Sequence, residues 1–152
     1  PPGPPPAPNG PGVRNKLFLT VYVGGLYLTA KNPNPAAILA SDSPRRMVMS
    51  FLYSVSKDQM CDAWEEGLEG NTPNPSAEVK ANFKTLCSWM EPIPKTNRLT
   101  LTYVPGTGTT VEVNGKSKGT LTGKATADAI VATWLGPTPA MGDDFKNAVL
   151  GK

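Results

Sequence analysis

The stretch NRLTLTYVPGTGTTVEVNGKSKGTL, residues 97–121, decides the fold. Leu99, Leu101 and Tyr103 alternate with Thr100, Thr102 and Val104, the period of a strand with one face toward a core. Thr109 to Val113 repeats that period. Asn114-Gly115 then supplies the two residues that tolerate positive φ in a tight hairpin turn, and Lys116 to Leu121 returns. Pro105-Gly106-Thr107-Gly108 is a second turn. It is glycine-rich but lacks the Gly-Lys-Ser/Thr ending of a phosphate-binding loop. These residues therefore predict three consecutive antiparallel strands.

Reading outward, Thr122 opens a helix to about Leu135 that carries Ile130, Thr133 and Trp134 on one face. Gly136-Pro137 stops it, and a last short helix covers Asp143 to Leu150. Upstream, Ser56-Lys57-Asp58-Gln59 is a capping box, followed by the inner stripe Met60, Ala63, Trp64, Gly67 and Leu68. Asn74 is the expected N-cap of a further helix to about Met90, with Val79, Phe83, Leu86 and Met90 on one face. Lys16 to Thr29 reads as one long strand with a bulge at Gly24-Gly25, and Arg46 to Val55 as another. Both are apolar on both faces and are expected to be covered on both. Pro35 to Ala40 is a short helix capped by Asn34. Residues 1–11 are Pro/Gly-rich and predict a disordered or irregular segment, leaving 12–152 as one domain. The fold class is α+β: an antiparallel sheet with helices packed on one face.

Composition narrows the chemistry. The 152 residues include no histidine, which removes the usual general base and the commonest metal ligand. Two cysteines without a Cys-x-x-Cys spacing make no structural zinc site, so neither metal nor cofactor is expected. The net charge of +3 is scattered rather than clustered, against nucleic-acid binding. The longest apolar runs are far short of a membrane span. Any function must rest on an apolar cleft and a few Arg, Tyr and Thr side chains.

Cys61 and Cys87 fall on consecutive helices joined by a short proline-broken loop. Helical rise puts them within roughly 5 Å of the same level. Two buried free thiols and a disulfide are both compatible with that placement.

Gly12-Val13-Arg14 followed by LFLTVYVGGLYL resembles the opening of the chalcone isomerase fold. VSKDQMCDAWEEGLEGN, TYVPGTGTTVEVNGKSKG and the closing Leu121-Thr122-Gly123 … Ala129 to Gly136 … Asp144-Phe145-Lys146 are similar to its middle and end, most of all in the bacterial chalcone isomerase-like proteins. The resemblance implies an open-faced β-sandwich with a ligand cleft between sheet and helices. Plant enzymes of the family cyclise a chalcone using an Arg, a Tyr, an Asn and Thr residues. Arg14 matches the Arg and Thr133 the late-helix Thr, while the strand Thr falls at or beside Tyr22, with Thr20 close by. The Tyr lands on Met60 and the Asn on Gly67, so both helix donors are gone.

Losing one such donor costs about 10²–10³ in rate, and two are missing. The resemblance therefore implies a non-catalytic protein for a fatty acid or similar amphiphile. Arg14 would be the anchor, and Tyr22, Thr20, Met60, Trp64, Gly67 and Thr133 would line the cleft. Trp64 and Trp134 also read as ordinary core, Tyr22 as a buried aromatic with a satisfied hydroxyl, and Thr133 as a helix threonine bonded to its own backbone. The alternatives are an isomerase on a small phenolic substrate using Arg14 and Thr133, and an envelope structural or partner-binding protein. Bacterial relatives usually carry export signals, which implies a periplasmic or secreted monomer and favours a Cys61–Cys87 bridge.

Overall fold

A computed structural model describes the backbone of residues 7–16, 19–139 and 142–151, and side chains from residue 22 onward except within the omitted positions. Six strands form one antiparallel sheet in the order in which they occur: β1 (Ala7–Lys16), β2 (Leu19–Leu28), β3 (Arg45–Phe51), β4 (Arg98–Val104), β5 (Gly108–Val113) and β6 (Lys116–Leu121). The helices are α1 (Pro35–Ala40), α2 (Lys57–Asn71), α3 (Ala77–Trp89), α4 (Lys124–Leu135) and α5 (Gly142–Val149). The three strands read from residues 97–121 are β4, β5 and β6. Their Asn114-Gly115 turn has positive φ at both residues, 53° and 81°.

Among the described residues, helices cover only one face of the sheet. Tyr22, Leu26 and Leu28 on β2, Met47, Met49 and Phe51 on β3, and Leu99, Leu101 and Tyr103 on β4 are buried under the helices. The alternate positions Val23, Tyr27, Val48, Thr100 and Thr102 are only half-buried. The expectation that β2 and β3 would be covered on both faces is therefore corrected. That other face carries polar groups, among them Arg46, whose Nε donates to Thr102 Oγ1 at 3.1 Å.

The N-terminal reading also changes. Residues 7–11 belong to β1, so the boundary at residue 12 falls inside a strand; residues 1–6 lie outside the described residues. Pro8 and Pro11 are tolerated because β1 is an edge strand, where a missing N–H breaks no ladder on its outer side. Of the long strand expected over Lys16 to Thr29, Leu19–Leu28 forms β2, while Lys16 belongs to β1 and pairs with Leu19. Gly24-Gly25 forms no bulge, since the β2–β3 register runs unbroken from Tyr22↔Phe51 to Leu28↔Arg45. Gly24 has a packing reason: a Cβ there would stand 2.7 Å from Phe145 Cζ of α5.

Helix starts follow local chemistry. Ser56 and Gln59 form the capping box of α2. Ser76, not Asn74, caps α3 by accepting from Val79 N at 3.2 Å; Asn74 instead sits at φ 49° in the connecting turn. Gly123 rather than Thr122 is the N-cap of α4. Of the 12 residues of α4, Thr126, Ala127 and the run from Ala129 to Leu135 are buried, which makes it the central helix of the layer.

One end of the sheet is closed by a polar cluster that composition did not reveal. Arg45 is 2% exposed, and its NH2 donates to Ile38 O at 3.1 Å and Ser41 O at 2.8 Å, at the carbonyl-rich C-terminus of α1. Its NH1 contacts Asp128 Oδ1 at 2.7 Å, an ion-pair approach without the alignment of a hydrogen bond. Lys124 Nζ joins Asp128 Oδ2 at 2.7 Å and Leu39 O at 2.6 Å. The guanidinium lies 5.4 Å from the Tyr103 ring centroid, and Tyr103 OH donates to Asp42 at 2.5 Å.

Burial, then the Asp42 carboxylate, pushes the Tyr103 phenol up to about 12 from its ordinary value of 10.0. A raised folded-state value means stability that is complete below pH ~10 and lost as pH rises toward ~12. Alkaline unfolding followed by circular dichroism should show that loss in the wild type. Tyr103→Phe should flatten the curve over that window, while lowering stability at neutral pH by about 1 kcal/mol for the lost hydrogen bond.

Candidate functional site

The opposite end of the covered face holds the candidate site. Its floor is the row Arg14–Tyr22–Phe51 across β1, β2 and β3, in which Tyr22 is the register partner of both neighbours. Cross-strand partners share a sheet face, so the Arg14 position belongs to the face that bears the buried Tyr22. The side chains of Arg14 and Thr20 lie outside the described residues.

Above this floor runs a chain of aromatic contacts. The Tyr22 ring lies 5.2 Å from that of Phe51 and 6.1 Å, edge-on, from that of Phe145. Trp134 Nε1 of α4 donates to Tyr22 OH at 3.0 Å. Trp134 packs edge-to-face on Trp64 at 5.5 Å, and Trp64 does the same on Phe83 of α3 at 6.3 Å. Such pairs add about 0.5–1.5 kcal/mol each beyond area burial. Tyr22 and the two tryptophans thus keep their core role, with the tyrosine hydroxyl engaged.

The helical wall comes from α2. Met60, Trp64 and Gly67 are buried on one stripe, as their spacing of four and three residues requires. Gly67 meets Thr133 directly: a Cβ at position 67 would stand 2.5 Å from Thr133 Cγ2 and 2.7 Å from its Oγ1. The Thr133 hydroxyl turns back to Ala129 O at 3.4 Å, a long bond within its own helix. Met60 and Gly67 therefore bring no donor to the cleft, and Thr133 is capped by the glycine facing it.

Between β2–β3 and α4–α5 lies an apolar crevice lined by Leu26, Met47, Val131, Trp134, Leu135 and Val149. It leaves no room for a water molecule. The seam is closed by side chains that touch one another, with Phe145 of α5 over Gly24.

Two further residues shape the site without any signal in the sequence pattern. Asn71, the last residue of α2, is buried. Its amide donates to Gly67 O at 3.0 Å and Thr138 O at 2.8 Å and accepts from Thr138 N at 2.7 Å, tying the α4–α5 connection to α2. Lys146 Nζ donates to Gly136 O at 3.1 Å, fastening α5 to the end of α4. Cys61 and Cys87, left open above, form a disulfide between α2 and α3 with Cα atoms 5.0 Å apart. Among the described residues no group of three or more His, Cys, Asp or Glu could hold a metal ion. No helix among them is long and apolar enough to cross a membrane.

The chalcone isomerase-like family model matches residues 8–151. The chain belongs to the chalcone isomerase-like family. Among solved structures, the crystal structure of a fatty-acid binding protein from Arabidopsis thaliana is similar at a TM-score of 0.69 and 15% identity. The match covers 95% of this chain and 88% of that one. At that identity the likeness establishes the fold alone. No curated protein matches this chain in sequence. Within the family fold, the Gly67–Thr133 contact means that α2 and α4 cross too closely for any larger residue at position 67.

Gly67→Ala should therefore destabilise by about 1–3 kcal/mol through overpacking, even though alanine is the better helix former by about 1 kcal/mol. In Thr133→Ala the two closest atoms are gone and only the Cβ at 3.0 Å remains, so adding Gly67→Ala to it should cost less. Chemical denaturation of the four proteins gives the coupling energy; additive effects would contradict the contact.

Proposed function

We propose that this chalcone isomerase-like protein is a non-catalytic carrier or receptor for a fatty acid or a similar apolar carboxylate. The ligand lies between the sheet and the helices with Arg14 as its anchor. The observation that carries the reading is the pairing of the Arg14 position with Tyr22 on the covered face, at the head of a seam that is otherwise apolar and aromatic. A guanidinium is the natural bidentate partner of a carboxylate, and the seam offers an alkyl tail what it needs. The fatty-acid binding protein with the same fold supports the reading by analogy.

Entry requires the seam to open. The short α5, whose first residue Gly142 sits at φ 79°, is the element whose movement would uncover Gly24, Leu26 and Tyr22. The isomerase alternative fares worse. It would use Thr133, whose hydroxyl faces its own helix under Gly67, and it lacks the donors that Met60 and Gly67 replace.

Calorimetric titration with palmitate tests the assignment. The wild type should bind, and Arg14→Ala should bind about 10–100-fold more weakly, the effect of one charged hydrogen-bonded contact. Equal affinity of the two proteins would remove Arg14 as anchor, and no binding by the wild type would remove the function.

We also infer that the protein works in an oxidising compartment, outside the cytoplasm. The Cys61–Cys87 disulfide supports this, because such bridges persist where thiols are not kept reduced. Alkylation of intact cells with a mass-tagged maleimide should leave both cysteines unlabelled until a reductant is added. Full labelling without reductant would contradict the compartment.

A further inference from the structure

Trp64 Nε1 is a buried donor without an acceptor among the described residues. The side chain is 2% exposed, on the inner stripe of α2. Its surroundings are aromatic: Phe83 on one side and Trp134 on the other, both edge-to-face. The second tryptophan of the cluster behaves differently, since Trp134 Nε1 is bonded to Tyr22 OH. Buried indole N–H groups normally find a partner, and leaving one unpaired is unfavourable. Phenylalanine would fill an aromatic slot in α2 without that cost. The polar edge of Trp64 therefore needs an explanation that core packing does not supply.

Its position supplies one. Trp134 lines the apolar crevice and backs directly onto Trp64. A ligand that opens the crevice and displaces Trp134 would reach a wall in which Met60 and Gly67 contribute no donor and Trp64 contributes one. The Arg14–Tyr22 row lies on the sheet side of Trp134 and Trp64 on its helix side. A carboxylate held at the sheet would thus present a later part of its chain to the indole.

We propose that Trp64 Nε1 reads a second oxygen on the ligand, so that the site selects apolar carboxylates carrying a hydroxyl or oxo group on the chain over plain hydrocarbon acids. This rests on the carboxylate-binding reading above and narrows its ligand class. The hydroxyl or carbonyl oxygen accepts the indole N–H, and the rest of the chain stays in apolar contact. A pocket built to bond an oxygen discriminates against the analogue that lacks it, because the donor is then left unpaired.

The test compares stearate with 12-hydroxystearate on the intact protein. Wild type should bind the hydroxy acid about three- to tenfold more tightly, the range of one neutral hydrogen bond. Trp64→Phe should bind the two acids with equal affinity, whatever its absolute affinity for stearate. A second readout needs no variant: in a ¹H–¹⁵N spectrum of the wild type, the Trp64 indole N–H should move downfield with the hydroxy acid and not with stearate. Equal affinities in the wild type, a preference that survives in Trp64→Phe, or an indole signal that ignores the hydroxyl would each overturn the proposal. In that last case the N–H serves only as a weak donor to the Trp134 ring. If stearate binds but the preference is absent, only this inference fails; if neither acid binds, the carboxylate-binding reading fails with it.

Discussion

The approach of α2 to α4 at Gly67 and Thr133 is the constraint on which the covered face depends. A Cβ at position 67 would stand 2.5 Å from the threonine methyl, so the helices can cross here only because one contributes no side chain. That crossing seats α4 as the central helix, buried along most of its length. It sets Trp134 where its indole meets Tyr22 and where Trp64 meets its ring. Asn71 then fastens the chain leaving α4 to the end of α2, and Lys146 fastens α5 to α4. Position 67 is also where the family's enzymes place an asparagine that touches substrate. Here a glycine at that spot lets the two helices approach closely.

The two ends of the covered face divide the work. At one end Arg45, Asp128, Lys124 and Tyr103 bond to one another and to the last carbonyls of α1. Arg45 is buried while Asp128 and Lys124 remain partly exposed, so the guanidinium is fixed mainly by its bonds to the carbonyls of α1 and the facing carboxylate. At the other end the contacts around Tyr22 are aromatic and apolar, and α5 closes over them through Phe145. Dispersion contacts reform easily after a displacement, whereas the directional bonds of a buried guanidinium must be broken one by one. The proposed opening for a ligand would therefore fall at the aromatic end.

Much of this was legible in the residues, and the failures are instructive. Strands β4 to β6 carried strict alternation and an Asn-Gly turn, local signals that tertiary structure had no reason to override. The Ser56–Gln59 box marked the start of α2 for the same reason. Strand β1 was hidden because proline argues against strands, a rule that relaxes at a sheet edge. Gly24 suggested a bulge because its true cause, Phe145, lies more than a hundred positions along the chain. The wall of Met60, Trp64 and Gly67 could be placed on one stripe from helical spacing. That Gly67 and Thr133 would touch, and that Arg45 rather than a surface charge would anchor α1, depended on contacts between elements with no sequence pattern.

The central claim is that the seam under α4 and α5 takes an apolar carboxylate with its head toward the Arg14 row. The most direct test is a crystal structure with a palmitate brominated at its terminal carbon, located by the anomalous signal of the bromine. The account predicts a bromine between β2–β3 and α4–α5, carboxylate density at Arg14 and Tyr22, and Phe145 displaced from Gly24. Bromine only on the protein surface, with the seam still shut, would contradict it.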